Sequence, residues 1–415
     1  MVRAFVLTLY VTPQMILWAL APLMIMDASS LKQRGVCCAV WVALRRCVVG
    51  LVMLPLLWCL QAWHWIGFLL DEMLYRGYRR VALEAPIFIS GVPRSGTTHL
   101  YRVMVEHEHL TGMMLWECLL APSVSQRRLM QGLWRLLAPL ARVLVRGKGG
   151  RVAHSLFPKA LMSIHQLGWQ EAEEDFVALI AVNACFLLVL LFPHSAWCWR
   201  LADFDRAVSP WKRRVILDFY YALVQKHIYA HGLRARESGA EGSIISPQPL
   251  RYISKNPSFT PWVNGLRARF PGARFVMCER EPQKALASQI SAVAPAWMLL
   301  QGKPIERAFV DRLIAMLARF YAVIDVCCQH SDVYRLPMTR LVTDLTDSVE
   351  TVMRHVGERI TPAFSEYLGV ANARAQSYRS GHRYCLSQFS IQWETVQQQF
   401  PKRYWQVVKA KKEEY

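Results

Sequence analysis

The sequence predicts an α/β fold, in which a P-loop-type parallel sheet is flanked by helices and preceded by an apolar N-terminal helical extension. Three observations support this prediction. An apolar strand, a glycine-containing turn and a helix follow one another at residues 86–107, helices alternate with short apolar strands from there to residue 357, and two long runs near the N-terminus carry no charge. We expect two units, with apolar helices at 1–80 and the α/β domain at 81–415.

The N-terminal unit contains two uncharged runs, residues 4–26 and 47–70. Each is long enough to cross a bilayer, which takes about 20 apolar residues. Basic residues lie both between the runs and after the second one, so the positive-inside rule selects no orientation. Two spans, a hairpin within one leaflet and a pair of buried helices all remain open. We expect a membrane-associated protein.

The α/β domain begins with the strand PIFIS at 86–90, a turn between Gly91 and Gly96, and a helix from Thr97 to about His107. An amphipathic basic helix is expected at 127–147, and the uncharged stretch after the acidic box QEAEEDF (170–176) is expected to form a buried helix up to Trp199. Further helices are predicted at 211–230, 260–269, after Pro282, at 306–330 and at 346–357, with strands at 251–254, 274–278 and 333–337. This alternation indicates a parallel sheet that is covered on both faces.

Charge and cysteine content limit the partners and the compartment. The 415 residues carry a net charge of +19, yet the basic residues are dispersed, and neither zinc-finger spacing nor an aromatic RNP-like box is present. We therefore expect an anionic small molecule or an anionic membrane surface as partner, and no nucleic acid. The eleven cysteines are scattered without zinc or C-x-x-C spacing, which is typical of a reducing compartment and predicts that the α/β domain is cytoplasmic.

The stretch GVPRSGTTHL, residues 91–100, has the glycine spacing of a phosphate-binding loop, but Thr97 stands where nucleoside-triphosphate loops carry lysine. Glycines at 91 and 96 let backbone N–H groups converge on an oxyanion, and the N-terminus of the next helix adds partial positive charge. Arg94 is the only cation of the loop, and nothing in it demands a metal. A P-loop NTPase or kinase is the alternative, which the missing lysine and the lack of an apolar strand ending in Asp disfavour.

The loop resembles the phosphosulfate loop of sulfotransferases, which use 3′-phosphoadenosine 5′-phosphosulfate (PAPS) as sulfuryl donor. The form GVPRSGTT is especially similar to that of the protein-tyrosine sulfotransferases and related bacterial families. The resemblance implies that the 5′-phosphosulfate is bound by Pro93, Arg94, Ser95, Gly96, Thr97 and Thr98. It also implies that Arg280, just past a strand, and Ser288, eight residues later, bind the 3′-phosphate.

The resemblance assigns catalytic roles as well, in a reaction that needs no metal. Lys255, in the segment KNPSFT, and Arg94 offset charge on the transferring group. Glu117, in LWECL, is the first choice for the base that accepts a proton from the acceptor hydroxyl or amine. The second choice is a residue of the acidic box, Glu171, Glu173, Glu174 or Asp175.

The resemblance extends over about residues 86–405 and includes a late segment, SYRSGHRYCLSQF at 377–389. The segment is similar to the family's late loop, in which Gly-His-x-Tyr precedes a helix, and we expect Arg379, His382, Arg383 and Tyr384 to close over the nucleotide; a plain surface loop is the alternative. The apolar character of segments between 110 and 250, together with the N-terminal runs, favours a lipid or another hydrophobic acceptor. A catalytically inactive membrane scaffold with this fold is a further alternative, which the intact loop, Lys255 and Glu117 disfavour.

Overall fold

Five parallel strands form the sheet of the computed structural model, which describes residues 1–24, 36–146, 174–237, 250–377 and 385–405. The spatial order is β2-β3-β1-β4-β5, and every neighbouring pair is parallel. The strands are β1 (Ile87–Gly91), β2 (Leu110–Thr111), β3 (Arg251–Lys255), β4 (Arg274–Glu279) and β5 (Val333–Pro337). The predicted α/β fold with a parallel sheet is confirmed.

Helices flank the sheet and precede it. They are α1 (Val2–Met24), α2 (Val36–Leu74), α3 (Thr97–Met104), α4 (Leu115–Leu119), α5 (Val124–Arg146), α6 (Leu188–Leu191), α7 (Ala196–Leu201), α8 (Phe204–Ala207), α9 (Pro210–Glu237), α10 (Val263–Arg269), α11 (Pro282–Gln301), α12 (Arg307–Cys327), α13 (Met338–Thr343), α14 (Leu345–Val356), α15 (Pro362–Ser377) and α16 (Trp393–Val396). Short 3₁₀ helices occupy Arg76–Arg80, Asp175–Val182, Pro257–Trp262, Leu386–Phe389, Gln397–Gln399 and Lys402–Tyr404.

The central strand β1 is buried along its whole length because both faces of the sheet are covered. Successive side chains of a strand point to opposite faces. Ile87 and Ile89 accordingly join one hydrophobic cluster, with Val352 of α14, while Phe88 joins the other, with Trp262. The two clusters hold the carboxyl end of β1, and the loop that follows it, at a fixed position between the layers.

Helices α1 and α2 pack on the α/β domain. Ala4, Leu7 and Val11 of α1 belong to the larger hydrophobic cluster, and Asp71 of α2 forms an ion pair of 2.8 Å with Lys226 of α9. Within the described residues, one helical segment, Val40–Leu74, is long and apolar enough to cross a membrane. The division of the chain at residue 80 stays a prediction.

The third apolar run differs from the single buried helix that was predicted for it. The run is buried, but it is divided into the 3₁₀ helix Asp175–Val182 and the helices α6 and α7. Asn183 ends the 3₁₀ helix in a left-handed conformation with φ of 55°, and Pro193 lies between α6 and α7. An asparagine tolerates this conformation and a proline lacks the N–H that a continuous helix requires, so the chain turns at both positions.

Candidate functional site

The glycine-containing loop leaves the carboxyl end of β1 and leads into α3, which is the arrangement of an anion-binding loop. Gly91 has a φ of 123°, and a Cβ there would lie 2.0 Å from the carbonyl oxygen of Cys278, so only glycine is accommodated. The Thr260 hydroxyl accepts a hydrogen bond of 2.8 Å from the Gly91 N–H and lies 2.6 Å from its carbonyl oxygen. Thr260 therefore fixes the start of the loop, a role that no sequence motif indicated.

Residues from two separate motifs meet beside this loop. Arg94 has a left-handed φ of 66°, and its Nε donates a hydrogen bond of 3.1 Å to the Ser288 hydroxyl. Arg280, just past the end of β4, donates a hydrogen bond of 3.1 Å to the carbonyl oxygen of Arg94. The structure thus brings together three residues that the sequence analysis assigned to one nucleotide.

Positive charge accumulates at this point. Burial lowers the pKa of Arg280, and the neighbouring Arg94 guanidinium lowers it further. Among the residues that the structure describes, no carboxylate lies within 4.0 Å of either guanidinium. A partly buried arginine such as Arg280, repelled by the exposed Arg94 next to it, is stabilised by an anion between or beside the two.

Tyr321 of α12 supports the same arginine. Its hydroxyl donates a hydrogen bond of 2.5 Å to the carbonyl oxygen of Arg280, and its ring packs against Tyr404 at 4.6 Å between centroids. A segment close to the C-terminus therefore holds the backbone of Arg280 in place. Tyr321 lies on a helix that carries no recognisable motif, so the sequence offered no signal for it.

Lys255 lies at the carboxyl end of β3, next to the loop, because its register partner on β1 is Ile89. Its side chain is 2% exposed, and Nζ lies 3.0 Å from Oε1 of Glu174, whose side chain is 31% exposed. Glu174 directly precedes the 3₁₀ helix Asp175–Val182. The sheet edge therefore combines the anion-binding loop, a buried lysine and a partly accessible carboxylate.

This arrangement agrees with the comparisons with known proteins. The sequence model described as Sulfotransferase family matches residues 86–362, which contain the loop, Lys255, Arg280 and Ser288. The chain belongs to the sulfotransferase family.

Solved structures of sulfotransferases share its fold. Sulfotransferase STF1 from Mycobacterium tuberculosis H37Rv is 18% identical, with 79% of each chain covered and a TM-score of 0.53. Sulfotransferase STF9 from Mycobacterium avium is 15% identical, with 80% of this chain and 79% of that chain covered and a TM-score of 0.56. At these identities the likeness concerns the fold alone. No curated protein matches the sequence significantly.

Glu117 of this sulfotransferase lies in a buried polar cluster with Arg127 and His227. Its Oε1 lies 3.3 Å from Nη1 of Arg127, and its Oε2 accepts a hydrogen bond of 3.0 Å from the Met114 N–H. The same Nη1 lies 2.8 Å from Nδ1 of His227. An arginine can only donate, so Nδ1 accepts and the His227 proton is on Nε2, which donates to the Thr111 hydroxyl.

This protonation state fits the burial of His227, which lowers its pKa well below the usual range. Glu117, His227 and His231 offer ligand atoms within 4.8 Å of one another. Arg127 already contacts Glu117 and His227, so a metal ion bound by these residues would lie against its guanidinium group. The cluster is better described as an ion pair that a neutral histidine orients.

Asp175 forms a second buried cluster, next to Glu174 in the chain. Its Oδ2 accepts hydrogen bonds from the hydroxyls of Tyr220 and Tyr252, the latter at 2.7 Å. Burial raises the pKa of Asp175 to about 6. Such a carboxyl serves as an anchor for the start of the 3₁₀ helix, since it is closed off from solvent.

Several predicted site residues lie outside the described part of the chain. They are Glu171 and Glu173 of the acidic box and Arg379, His382, Arg383 and Tyr384 of the late segment. Of the loop residues, Ser95 and Thr97 are buried, Pro93, Gly96 and Thr98 are half-buried, and Arg94 is exposed. The Ser95 hydroxyl donates to the carbonyl oxygen of Val92 at 2.6 Å, which tightens the turn.

Proposed function

We propose that this sulfotransferase moves the sulfuryl group of PAPS to a hydroxyl or amine of an acceptor that is a lipid or another membrane-associated molecule. The observation that carries the proposal is the contact among Arg94, Ser288 and Arg280 at the sheet edge. PAPS bears anionic groups at two positions of its ribose, and each arginine can pair with one of them.

The loop residues Pro93 to Thr98 would hold the 5′-phosphosulfate, through the backbone N–H groups of the turn, the hydroxyls of Thr97 and Thr98, and Arg94. Arg280 and Ser288 would hold the 3′-phosphate, and Arg383 stays a prediction for the same nucleotide. When bound, the donor supplies the sulfuryl group and departs as adenosine 3′,5′-bisphosphate. No metal is needed for this assignment, because arginine and lysine supply the positive charge.

Lys255 would stabilise the negative charge that develops on the donor oxygen as the bond to sulfur breaks. Burial supports this role, because a charge acts more strongly where water is excluded. Its position beside β1 supports this role too, since Gly91, where the loop begins, lies two residues after Ile89, the register partner of Lys255.

The base that accepts the acceptor's proton is a carboxylate; Glu171 and Glu173 stay predictions for it, and the described residues offer Glu117 and Glu174. Glu117, the first choice from the sequence, stays a prediction; its described contacts are with Arg127 and the Met114 N–H, with His227 nearby. Glu174 lies 3.0 Å from Lys255 and remains partly accessible. We favour Glu174, because a base must reach the acceptor beside the sulfuryl group.

Donor binding is tested by isothermal titration of the purified chain with adenosine 3′,5′-bisphosphate. We expect Arg94→Ala and Arg280→Ala to weaken binding by about tenfold or more, as loss of a charged hydrogen bond of 1.5–3 kcal/mol predicts. Arg307→Ala is the matched control, since Arg307 pairs with Asp311 on the exposed surface of α12. Undiminished binding in both site variants would refute the assignment of the site.

Catalysis is tested with sulfur-labelled PAPS and a membrane lipid extract. Lys255→Met and Glu174→Gln should each lower the transfer rate by about 10²-fold or more, and the exposed Glu366→Gln is the control. If Glu117→Gln abolishes transfer while its fold is intact and Glu174→Gln does not, the base is Glu117. Magnesium-dependent ATP turnover by the chain would favour a P-loop NTPase. If labelled sulfuryl were transferred to no component of the extract, a catalytically inactive scaffold would be favoured.

A further inference from the structure

Helix α1 is apolar on two opposite faces. Its inner face places Ala4, Leu7 and Val11 in the hydrophobic core, while Phe5 and Leu9 on its outer face are 43% and 59% exposed. A helix on the surface of a water-soluble domain carries polar residues on its outer face. The outer face of α1 is therefore suited to an apolar surrounding.

Helix α2 turns its polar side chains towards the α/β domain. Gln61 donates a hydrogen bond of 2.7 Å to Asn183, His64 lies 2.8 Å from the carbonyl oxygen of Leu119, and Asp71 pairs with Lys226. Earlier in the helix, Arg45 donates to the carbonyl oxygen of Leu299 in α11 at 3.2 Å. These contacts lie near both ends of α2 and hold the helix along the domain, rather than projecting from it across a bilayer.

Among the residues that the structure describes, the opposite side of α2 is exposed. Leu51 and Leu69 are 75% and 63% exposed, and Phe5 of α1 packs edge-on against Trp65 at 5.1 Å, which joins the two helices. At its other flank, α2 contacts the start of α5, where Gln126 donates to the carbonyl oxygen of Trp63. Helix α5 continues the exposed apolar character with Leu133 and Trp134.

We propose that the outer faces of α1, α2 and α5 form one docking surface that lies in the plane of an anionic lipid bilayer. The docking surface is defined by Phe5, Leu9, Leu51, Leu69, Leu133 and Trp134. Charge complementarity selects an anionic bilayer, since α5 contains no acidic residue and carries four arginines besides the buried Arg127. Arg128 and Arg135 are exposed beside Leu129 and Trp134 of the same helix. Basic residues near a lipid surface are attracted to its negative potential, and tryptophan prefers the interface.

The docking surface also bears on the acceptor, a point that rests on the proposed function. The 3₁₀ helix Asp175–Val182 lies beneath α1 and α2, because Thr8 and Trp65 both donate to the carbonyl oxygen of Ala181 at 3.1 Å. The residue that precedes this 3₁₀ helix is Glu174, the partner of Lys255. One short 3₁₀ helix thus links the docking surface to Glu174, the proposed base for a lipid acceptor.

Vesicle flotation of the full chain tests the docking surface. We expect binding to vesicles that contain phosphatidylserine, weaker binding to pure phosphatidylcholine, and a loss of about tenfold or more in Leu9→Glu/Leu69→Glu. Val326→Glu/Val370→Glu is the matched control, because these valines are 63% and 48% exposed outside the docking surface. The far-UV circular dichroism spectrum and thermal unfolding of each variant separate lost docking from lost folding. Flotation of Leu9→Glu/Leu69→Glu at the wild-type level would overturn the proposal. The proposal would also be overturned if the wild type bound no vesicles and instead formed a dimer that Leu9→Glu/Leu69→Glu dissociates.

The in-plane orientation is tested by a fluorescent amino acid incorporated in turn at positions 9, 51 and 69. Quenching by lipids labelled near the headgroup should exceed quenching by lipids labelled near the chain ends at all three positions. Deep quenching at position 51 with shallow quenching at position 69 would indicate that α2 crosses the bilayer, and would overturn the orientation. Failure of the nucleotide titration would leave both lipid measurements unaffected, so the two proposals fail separately.

Discussion

Replacing Lys226 by methionine tests how firmly α2 is joined to the α/β domain. The side chains of Lys226 and Asp71 are both 0% exposed, and burial lowers the pKa of Lys226. The variant would leave Asp71 buried with its charge uncompensated, which costs about 3–5 kcal/mol. Asp71 keeps hydrogen bonds from the N–H groups of Val124 and Ser125 and from the Ser125 hydroxyl, so we expect a cost near the lower value.

The corresponding change in melting temperature follows from the size of the chain. Unfolding entropy is about 2.1 cal/mol/K per residue, or about 0.9 kcal/mol/K for 415 residues. A loss of about 3 kcal/mol therefore lowers the melting temperature by about 3–4 °C. The assay is thermal unfolding in mild detergent, followed by intrinsic tryptophan fluorescence.

Two further variants make the measurement decisive. Asp71→Asn/Lys226→Met removes both charges and retains one oxygen for the Ser125 N–H and hydroxyl, but it leaves the Val124 N–H without its acceptor, so it should recover part of the lost stability. Lys284→Met is the control, since Lys284 is 64% exposed. A Lys226→Met melting temperature equal to that of Lys284→Met would refute the reasoning that this pair is buried and charged.

Three further predictions concern the site. As pH rises from about 4 to 7, Asp175→Asn should gain about 3 kcal/mol of stability relative to the wild type, because burial raises the pKa of Asp175 to about 6. The protonated Asp175 of the wild type stabilises the fold fully below the pKa of the unfolded state. This stabilisation is lost as pH rises through the pKa of the folded state. Glu117→Gln should cost about 3 kcal/mol in denaturant unfolding, because it leaves Arg127 buried without its carboxylate. Tyr321→Phe should raise the KM for PAPS about threefold to tenfold with little change in kcat, because the hydroxyl positions the backbone of Arg280.

Each of these has a contrary outcome. A stability difference between Asp175→Asn and wild type that does not vary with pH would mean that Asp175 is not desolvated. A Glu117→Gln chain as stable as Glu366→Gln would remove the structural role of Glu117. An unchanged KM in Tyr321→Phe would separate Tyr321 from donor binding, and a lower kcat at constant KM would place its effect on the transfer step.

Local patterns allowed the sequence to predict the strand–loop–helix unit, the parallel sheet and the anion-binding character of the loop. The residues of GVPRSGTT are consecutive, so backbone geometry alone holds them on one turn. The pair Arg280 and Ser288 is local too, since both belong to one strand–helix junction. The resemblance to sulfotransferases assigned the loop and this pair to one ligand, and parallel strands, which place their carboxyl ends on one edge of the sheet, bring the two motifs together.

Tertiary structure alone decided which side chains surround these motifs. The contact between Lys255 and Glu174 joins segments 81 residues apart, and that between Asp71 and Lys226 joins segments 155 apart. Such contacts depend on how segments that are distant in the chain pack against each other, for which the sequence carries no periodic signal. Composition likewise showed that α1 and α2 are apolar, but an apolar helix can cross a bilayer, lie on it or be buried. Packing shows that α2 lies against the α/β domain, because Gln61, His64 and Asp71 bond to residues of that domain.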